Sequence, residues 1–182
     1  MNQEVDYSLC KKYGYPKRRG MTIANSMNKI NEVVIHHTDG GGNWRGLLGW
    51  FLNPGQAKEA LFKRWIGFTH YYIERDGTII KAFPLTRWMY HSCSGKLDKF
   101  TIGIELFHKT GLFTDEQYDS LVQVIADLFM AENLNIEVVS SHDYRYQKYS
   151  GKSKGCPGAD FDWRYLKDRL EHSGFSGITF NF

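Results

Sequence analysis

The chain contains several short apolar runs that are bounded by glycine and polar residues. Val33, Val34 and Ile35 lie together within Ile30–His37, and the loop Asp39–Gly42 follows directly. A short run rich in β-branched residues and bounded in this way predicts a buried strand. The pattern therefore predicts a core strand that ends in two adjacent histidines.

Further segments have the composition of strands. Tyr71–Ile73 and Thr78–Ile80 flank the turn dipeptide Asp76-Gly77, so these residues predict a β-hairpin. Single strands are expected at Thr101–Phe107, which carries Glu105 within an apolar run, and at Ile136–Val139.

Helical spacing follows the predicted capping box of Thr114 and Gln117. Apolar residues then recur on one face of a helix, at Leu121, Val124, Ile125 and Leu128. Two more helices are expected, one over Gln56–Trp65 between Pro54 and Gly67, and one over Asp162–His172.

Strands and helices interleave along the sequence, which predicts an α/β fold with a central mixed β-sheet flanked by helices. The length of 182 residues and the hydrophobic content of 42% suit a single domain with its own core. We assign residues 1–30 to an N-terminal arm, residues 31–172 to this domain and residues 173–182 to a C-terminal tail.

Composition argues against several classes of protein. The 23 basic and 20 acidic residues give a net charge of +3. This excess is much smaller than that of a dedicated nucleic-acid-binding protein, which has a stripe of basic residues on its surface. No apolar run has the length of a membrane helix, and no secretory signal sequence is expected. Three cysteines favour a reduced compartment, with a Cys10–Cys93 disulfide as the alternative.

Three potential metal ligands are spread along the chain. His36 ends the first predicted strand, His142 follows the strand at Ile136–Val139, and Cys156 precedes Pro157. Two imidazoles and one thiolate, with a fourth position left to water, would form a catalytic zinc site. The alternatives are structural histidines with an inert buried thiol, or a cysteine nucleophile paired with a distant histidine.

Four motifs, in this order, resemble those of the zinc N-acetylmuramoyl-L-alanine amidases, a family of phage endolysins, bacterial cell-wall recycling amidases and peptidoglycan recognition proteins. The motifs are Val34–Thr38, Arg75–Thr78, Ile102–Leu106 and Cys156–Trp163. The likeness extends from about Val33 to Leu170 and implies the mixed sheet and flanking helices of that family.

The resemblance implies that His36, His142 and Cys156 bind Zn²⁺. It also implies a catalytic cation at Lys154, for which Lys152 is the alternative.

The expected proton carrier is Glu105. Family members with a cysteine as third ligand use a tyrosine before the hairpin, whereas those with an aspartate there use the strand glutamate. This chain has Thr69 at the tyrosine position, so Glu105 is expected to transfer the proton, unless it only forms a salt bridge to Arg87 or Lys99.

Other polar residues are expected near the substrate. The resemblance implies that His91, His37 and Thr69 lie in the substrate site. For His37 the alternatives are a structural role beside the ligands and an exchange of roles with His36, in which His37 is the zinc ligand. Asp143 either orients its neighbour His142 or forms an exposed salt bridge.

The expected function is hydrolysis of the amide bond between N-acetylmuramic acid and L-alanine by a phage-type, bacteriolytic endolysin. Such a protein would act as a monomer on peptidoglycan or muropeptides and would stay in the host cytoplasm until its release to the cell wall. The alternatives are a non-catalytic peptidoglycan-binding module, a cytoplasmic muropeptide recycling amidase, and a zinc amidase with another acyl substrate.

Overall fold

The apolar runs form one sheet in a computed structural model, which describes residues 3–4, 29–40, 42–47, 69–92, 97–131 and 134–182. Its strands are β1 (Gln3–Glu4), β2 (Glu32–His37), β3 (Tyr71–Ile73), β4 (Ile79–Lys81), β5 (Thr101–Leu106), β6 (Val138–Ser141) and β7 (Thr179–Asn181). The helix expected at Gln56–Trp65 and the cysteines Cys10 and Cys93 lie outside the described residues.

The predicted mixed sheet is confirmed, with the described strands in the order β1-β4-β3-β5-β2-β6-β7. β2 pairs in parallel with both β5 and β6, whereas β3 and β4 form the predicted antiparallel hairpin. Residues assigned above to a C-terminal tail include β7, which pairs in parallel with β6. Ile178 anchors this edge strand because its side chain is buried in the core.

The sequence predicted the helices that follow Thr114 and Asp162, but not the one that begins at His142. The helices whose full bounds lie within the described residues are α1 (Asp115–Phe129), α2 (His142–Ser150) and α3 (Trp163–His172). The capping box at the start of α1 is confirmed, because the Thr114 hydroxyl accepts a hydrogen bond from the Gln117 N–H and Oε1 of Gln117 accepts one from the Thr114 N–H. None of the helices in the described ranges is long and apolar enough to span a bilayer.

The two faces of the sheet carry different residues. Val33 and Ile35 of β2 lie on one face, fully buried in the core cluster that also includes apolar side chains of α1 and α3. Side chains alternate along a strand, so Glu32 and His36 project from the opposite face. The register pairs Glu32 with Thr101 and His36 with Glu105, which places a polar row on that second face.

A buried ion pair fixes α2 on the polar face. The Arg145 guanidinium of α2 donates hydrogen bonds to both carboxylate oxygens of Glu32, with a distance of 2.7 Å from Nε to Oε1. Both side chains are largely removed from solvent. Because His142 is the first residue of the same helix, this pair also fixes the direction in which the helix leaves the sheet.

Gly103 of β5 permits a close approach of two side chains to the polar face. A Cβ atom at this position would lie 2.8 Å from Cγ2 of Thr69 and 2.9 Å from Cγ and Nδ1 of His91. These distances are shorter than a packed carbon allows, so glycine is required for His91 to lie against the strand.

A buried carboxylate holds the segment that carries His91. Oδ1 of Asp98 accepts hydrogen bonds from the backbone N–H of Ser92 at 2.8 Å and from its hydroxyl at 2.6 Å. Oδ2 of Asp98 is buried without a partner among the described residues. Burial raises the pKa of Asp98 from 3.8 to about 6, although the bonds from Ser92 oppose this change.

We expect Gly103→Ala to destabilise the protein by roughly 1–3 kcal/mol, because the added methyl group overpacks the contact with Thr69 and His91. Gly46→Ala is the matched control, since among the described residues its Cβ would meet only Oδ1 of Asn43, at 3.6 Å. Chemical denaturation measures both free energies of unfolding. Equal values for the two variants would contradict the expected clash.

We expect Asp98→Asn to remove part of the pH dependence of stability. A raised pKa means that the folded protein binds this proton more tightly than the unfolded chain does. The carboxyl therefore stabilises the fold fully below about pH 3.8, and this contribution declines by up to about 3 kcal/mol as the pH rises through 6. Urea unfolding of both proteins between about pH 4.5 and 7.5 tests this, and parallel curves would refute it.

Candidate metal centre

Three side chains from separate segments converge at the carboxyl ends of β2 and β6. His36 is near the end of β2, His142 begins α2 directly after β6, and Cys156 lies in the loop that follows α2. Nδ1 of His36 and Nδ1 of His142 are 3.0 Å apart. One ligand atom from each of the three residues lies within 4.8 Å of the other two, and all three side chains are buried.

Burial sets the protonation of the two histidines. The pKa of His36 is well below its usual value, because burial and then the neighbouring His142 disfavour its charged form. Burial, followed by the charge of Lys154, lowers the pKa of His142 to about 4. Both imidazoles are therefore neutral near pH 7, and each has a nitrogen lone pair available for a metal.

The thiol of Cys156 lacks the lowered pKa of a reactive cysteine. Burial raises the pKa of its thiol to about 12, and the nearby Glu105 carboxylate acts in the same direction. Reactive cysteines have a lowered pKa and a positively charged partner. The neutral histidines around Cys156 provide no such charge, and the charge of Lys154 only partly offsets the effect of burial, which argues against the cysteine-nucleophile alternative.

The donor set fits zinc. Ligand atoms lie roughly 2.0–2.3 Å from a tetrahedral zinc ion and hence about 3–4 Å from one another. The separations among His36, His142 and Cys156 require only small movements to reach this range. Two imidazoles and one thiolate leave one of the four positions open, as in catalytic zinc sites.

His91 is hydrogen-bonded to the first candidate ligand, His36. Its Nδ1 lies 3.0 Å from Nε2 of His36, and its Nε2 lies 3.0 Å from Oγ1 of Thr101. If His36 offers Nδ1 to a metal, its Nε2–H donates to His91, and the Nε2–H of His91 donates to Thr101. Such a partner fixes the tautomer and ring orientation of a ligand. His91 is buried in this structure, and its expected place in the substrate site stays a prediction.

His37 lies beside the third ligand. Its backbone N–H donates to Sγ of Cys156 at 3.4 Å, and its ring Nδ1 lies at the same distance from the sulfur. The structure thus brings His37 next to Cys156, and its expected place in the substrate site stays a prediction.

Thr69 is also enclosed. Its side chain is 1% exposed, and its hydroxyl donates to the backbone oxygen of Tyr71 at 3.0 Å. The phenol oxygen of Tyr72 accepts a hydrogen bond from the Thr69 N–H at 3.4 Å. In this structure Thr69 thus packs against β5 at Gly103.

Glu105 and Lys154 complete the site. Glu105 lies beside His36 in the register of β5 and β2, and its side chain is partly exposed. Desolvation raises the pKa of Glu105 to about 8, and the positive charge of Lys154 opposes this shift. The exposed Lys154 also lowers the pKa of His36 and His142 through its charge, so its ammonium group acts on the whole centre.

Sequence reasoning missed the partners that hold the ligands in place. Thr101, which bonds His91, was treated only as the first residue of a strand. Its spacing of two and four residues from Gly103 and Glu105 was the available signal, because such positions share one face of a strand.

A family model described as N-acetylmuramoyl-L-alanine amidase matches residues 26–159 of the chain. A comparison with curated proteins found no match.

Solved structures share the fold at low sequence identity. The amidase LysC from Clostridium intestinale is 20% identical, with a TM-score of 0.64 over 94% of this chain and 97% of that chain. A selenomethionine derivative of AmpD is 21% identical, with a TM-score of 0.59 over 83% and 91%. The peptidoglycan recognition protein PGRP-SA of Apis mellifera is 14% identical, with a TM-score of 0.61 over 80% and 86%.

These structures confirm the expected fold, and the match over residues 26–159 covers well over half of the sequence. The chain belongs to the N-acetylmuramoyl-L-alanine amidase family.

Proposed function

We propose that this protein is a zinc-dependent amidase that hydrolyses the bond between N-acetylmuramic acid and L-alanine in peptidoglycan, as a phage-type endolysin. The observation that most supports this proposal is that His36, His142 and Cys156 lie close together beside Glu105, in a chain of this family. A binding module without catalysis would not require a buried thiol within reach of two neutral imidazoles.

The residues of the site have separate tasks in the proposed reaction. His36, His142 and Cys156 hold the metal, which supplies Lewis acidity and a lowered pKa for water. Glu105 accepts the proton of the attacking water on its carboxylate and returns it to the leaving amine of L-alanine. Lys154 places its positive charge near the carbonyl oxygen that becomes negative in the transition state.

Glu105 must be ionised to act as a base. Burial raises its pKa to about 8 even against the opposing charge of Lys154, so most of the carboxyl is protonated at neutral pH in the metal-free protein. Lys154 favours the carboxylate form, and a divalent cation beside it acts in the same direction. The proposed base is therefore most effective in the metal-loaded protein.

The endolysin role rests on two observations. The third candidate ligand is a cysteine, as in the phage-type members that the sequence resembles. An endolysin amidase, LysCS from Clostridium intestinale, has the same fold, with 22% identity and a TM-score of 0.62. A recycling amidase acts on soluble fragments, so the physical state of the substrate separates the two roles.

We expect purified protein to release peptides with a new N-terminal L-alanine from muropeptides and from intact sacculi, and to lose this activity with a zinc chelator. Mass spectrometry of the products measures both reactions. Restoration by added zinc is the control for damage by the chelator.

The other outcomes select among the alternatives. Cleavage of muropeptides but not of sacculi would replace the endolysin role with recycling. Binding of sacculi without cleavage, in protein shown to contain zinc, would contradict the proposed amidase and leave a binding module. Cleavage of other acyl-peptides alone would change the substrate.

We expect Glu105→Ala to lower turnover by about 10²–10⁴-fold, because the proton acceptor is lost while the three ligands remain. Metal analysis of the purified variant should show bound zinc at the wild-type level. Glu171→Ala is the matched control, since this exposed carboxylate on α3 pairs only with Lys167 among the ion pairs of the described residues, at 3.8 Å. Near-normal turnover of Glu105→Ala would exclude the proposed role.

A further inference from the structure

Asp143 makes an unusual number of hydrogen bonds for a partly exposed carboxylate. It is the second residue of α2 and follows the candidate ligand His142. Its Oδ1 accepts hydrogen bonds from the Ser153 hydroxyl at 2.8 Å, from the Gly155 N–H at 2.8 Å and from the Lys154 N–H. One oxygen atom thus holds three consecutive residues of the loop that follows α2.

Asp143 makes two more contacts that extend this arrangement. Its Oδ2 accepts a hydrogen bond from Nε2 of Gln147, one turn further along α2, at 2.6 Å. Its backbone N–H donates to the carbonyl oxygen of Cys156 at 2.8 Å. Gln147 of the same helix therefore orients the Asp143 side chain. The Asp143 backbone N–H is hydrogen-bonded to the backbone of the candidate ligand Cys156.

The loop has other hydrogen bonds only at its start, where the Gly151 N–H donates to the Gln147 carbonyl oxygen at 2.9 Å and the Lys152 N–H donates to Oγ of Ser150 at 3.2 Å, among the described residues. Residues 151–155 are all exposed, and Gly151 and Gly155 adopt left-handed backbone conformations with φ of 69° and 59°. An exposed glycine-containing loop gains little from apolar burial, so its conformation depends on hydrogen bonds. The hydrogen bonds to Oδ1 of Asp143 supply them at three adjacent positions.

The partners exclude a simple surface ion pair. The groups that donate to the Asp143 carboxylate are backbone N–H groups, a hydroxyl and an amide, none of which is charged. The Lys154 ammonium group instead lies 5.2 Å from the ring centre of Tyr146. Asp143 therefore binds the backbone of Lys154 and leaves its charged end beside the site.

We propose that Asp143 is a positioning residue, whose carboxylate and backbone N–H hold the 153–156 loop so that Cys156 and Lys154 lie beside His142. The proposal rests on the proposed function for the tasks of these residues. In structural terms, Asp143 joins the start of α2, which carries His142, to the loop that carries Cys156.

The test compares Asp143→Ala, Asp143→Asn and the control Asp168→Ala in the full-length protein. The asparagine oxygen can accept the same loop hydrogen bonds, and its amide can donate to Oε1 of Gln147 after that side chain turns. Asp168 is an exposed aspartate on α3 that pairs with Arg164 at 3.9 Å. Its removal should have no effect on the loop or on metal binding.

The first measurement is amide hydrogen exchange of Lys154 and Gly155 in the metal-free protein. We expect Asp143→Ala to accelerate exchange at both amides by about tenfold or more, because their acceptor is lost, while core amides such as that of Ile104 are unchanged. We expect Asp143→Asn to remain close to wild type. Unchanged exchange in Asp143→Ala would overturn the proposal, as would equal acceleration in both variants.

The second measurement is zinc affinity by competition with a chelating dye. We expect the dissociation constant to rise by about 10–100-fold in Asp143→Ala, with most of the affinity recovered in Asp143→Asn. Wild-type affinity in Asp143→Ala would refute the positioning role. If the wild-type protein binds no zinc, the proposed function fails, while hydrogen exchange still decides the role of Asp143.

Ser153→Ala keeps the test decisive if Asp143→Ala does not fold. This variant removes one of the three donors to Oδ1 and leaves the carboxylate in place. We expect a several-fold acceleration of exchange at Lys154 and Gly155 with little change in the melting temperature. No acceleration in this variant would contradict the proposal.

Discussion

The parallel pairing of β2 with both β5 and β6 is the constraint on which the site depends. It places His36 beside Glu105, and it brings the end of β6 next to Ile35, so that His142 follows at the level of His36. A slip of one residue would turn these side chains to the other face of the sheet. Val33 and Ile35 oppose such a slip, because both are fully buried on the core face. The apolar core thus specifies the position of polar groups that it does not contact.

Burial then determines the charge of the site. His36 and His142 are neutral because burial disfavours their protonated forms, and burial keeps a proton on Cys156 and favours one on Glu105. The groups around the centre are therefore mostly uncharged before a cation enters. Entry of a divalent cation would favour the thiolate of Cys156 and the carboxylate of Glu105. Metal binding would thus be coupled to proton release.

The sequence predicted features that depend on local patterns. The Asp76-Gly77 turn, the capping box at Thr114 and the apolar strands were confirmed, because each depends on neighbouring residues. Helix α2 was missed because its sequence has no apolar stripe, although Ser141 caps its start and Gly151 ends it. The contacts of His91 and Asp143 join residues distant in sequence or in different elements, and no local pattern encodes them.

The distance along the chain between the candidate ligands has a thermodynamic consequence. His36 and His142 are 106 positions apart, so the unfolded chain rarely brings them together and holds no assembled site. An ion held by both residues and by Cys156 binds the native state almost exclusively. Each tenfold excess of free metal over its dissociation constant then adds about 1.4 kcal/mol to the free energy of unfolding. A metal held by the three ligands would thus serve as a reversible cross-link between the neighbouring strands β2 and β6 and the loop after α2, as well as a catalytic group.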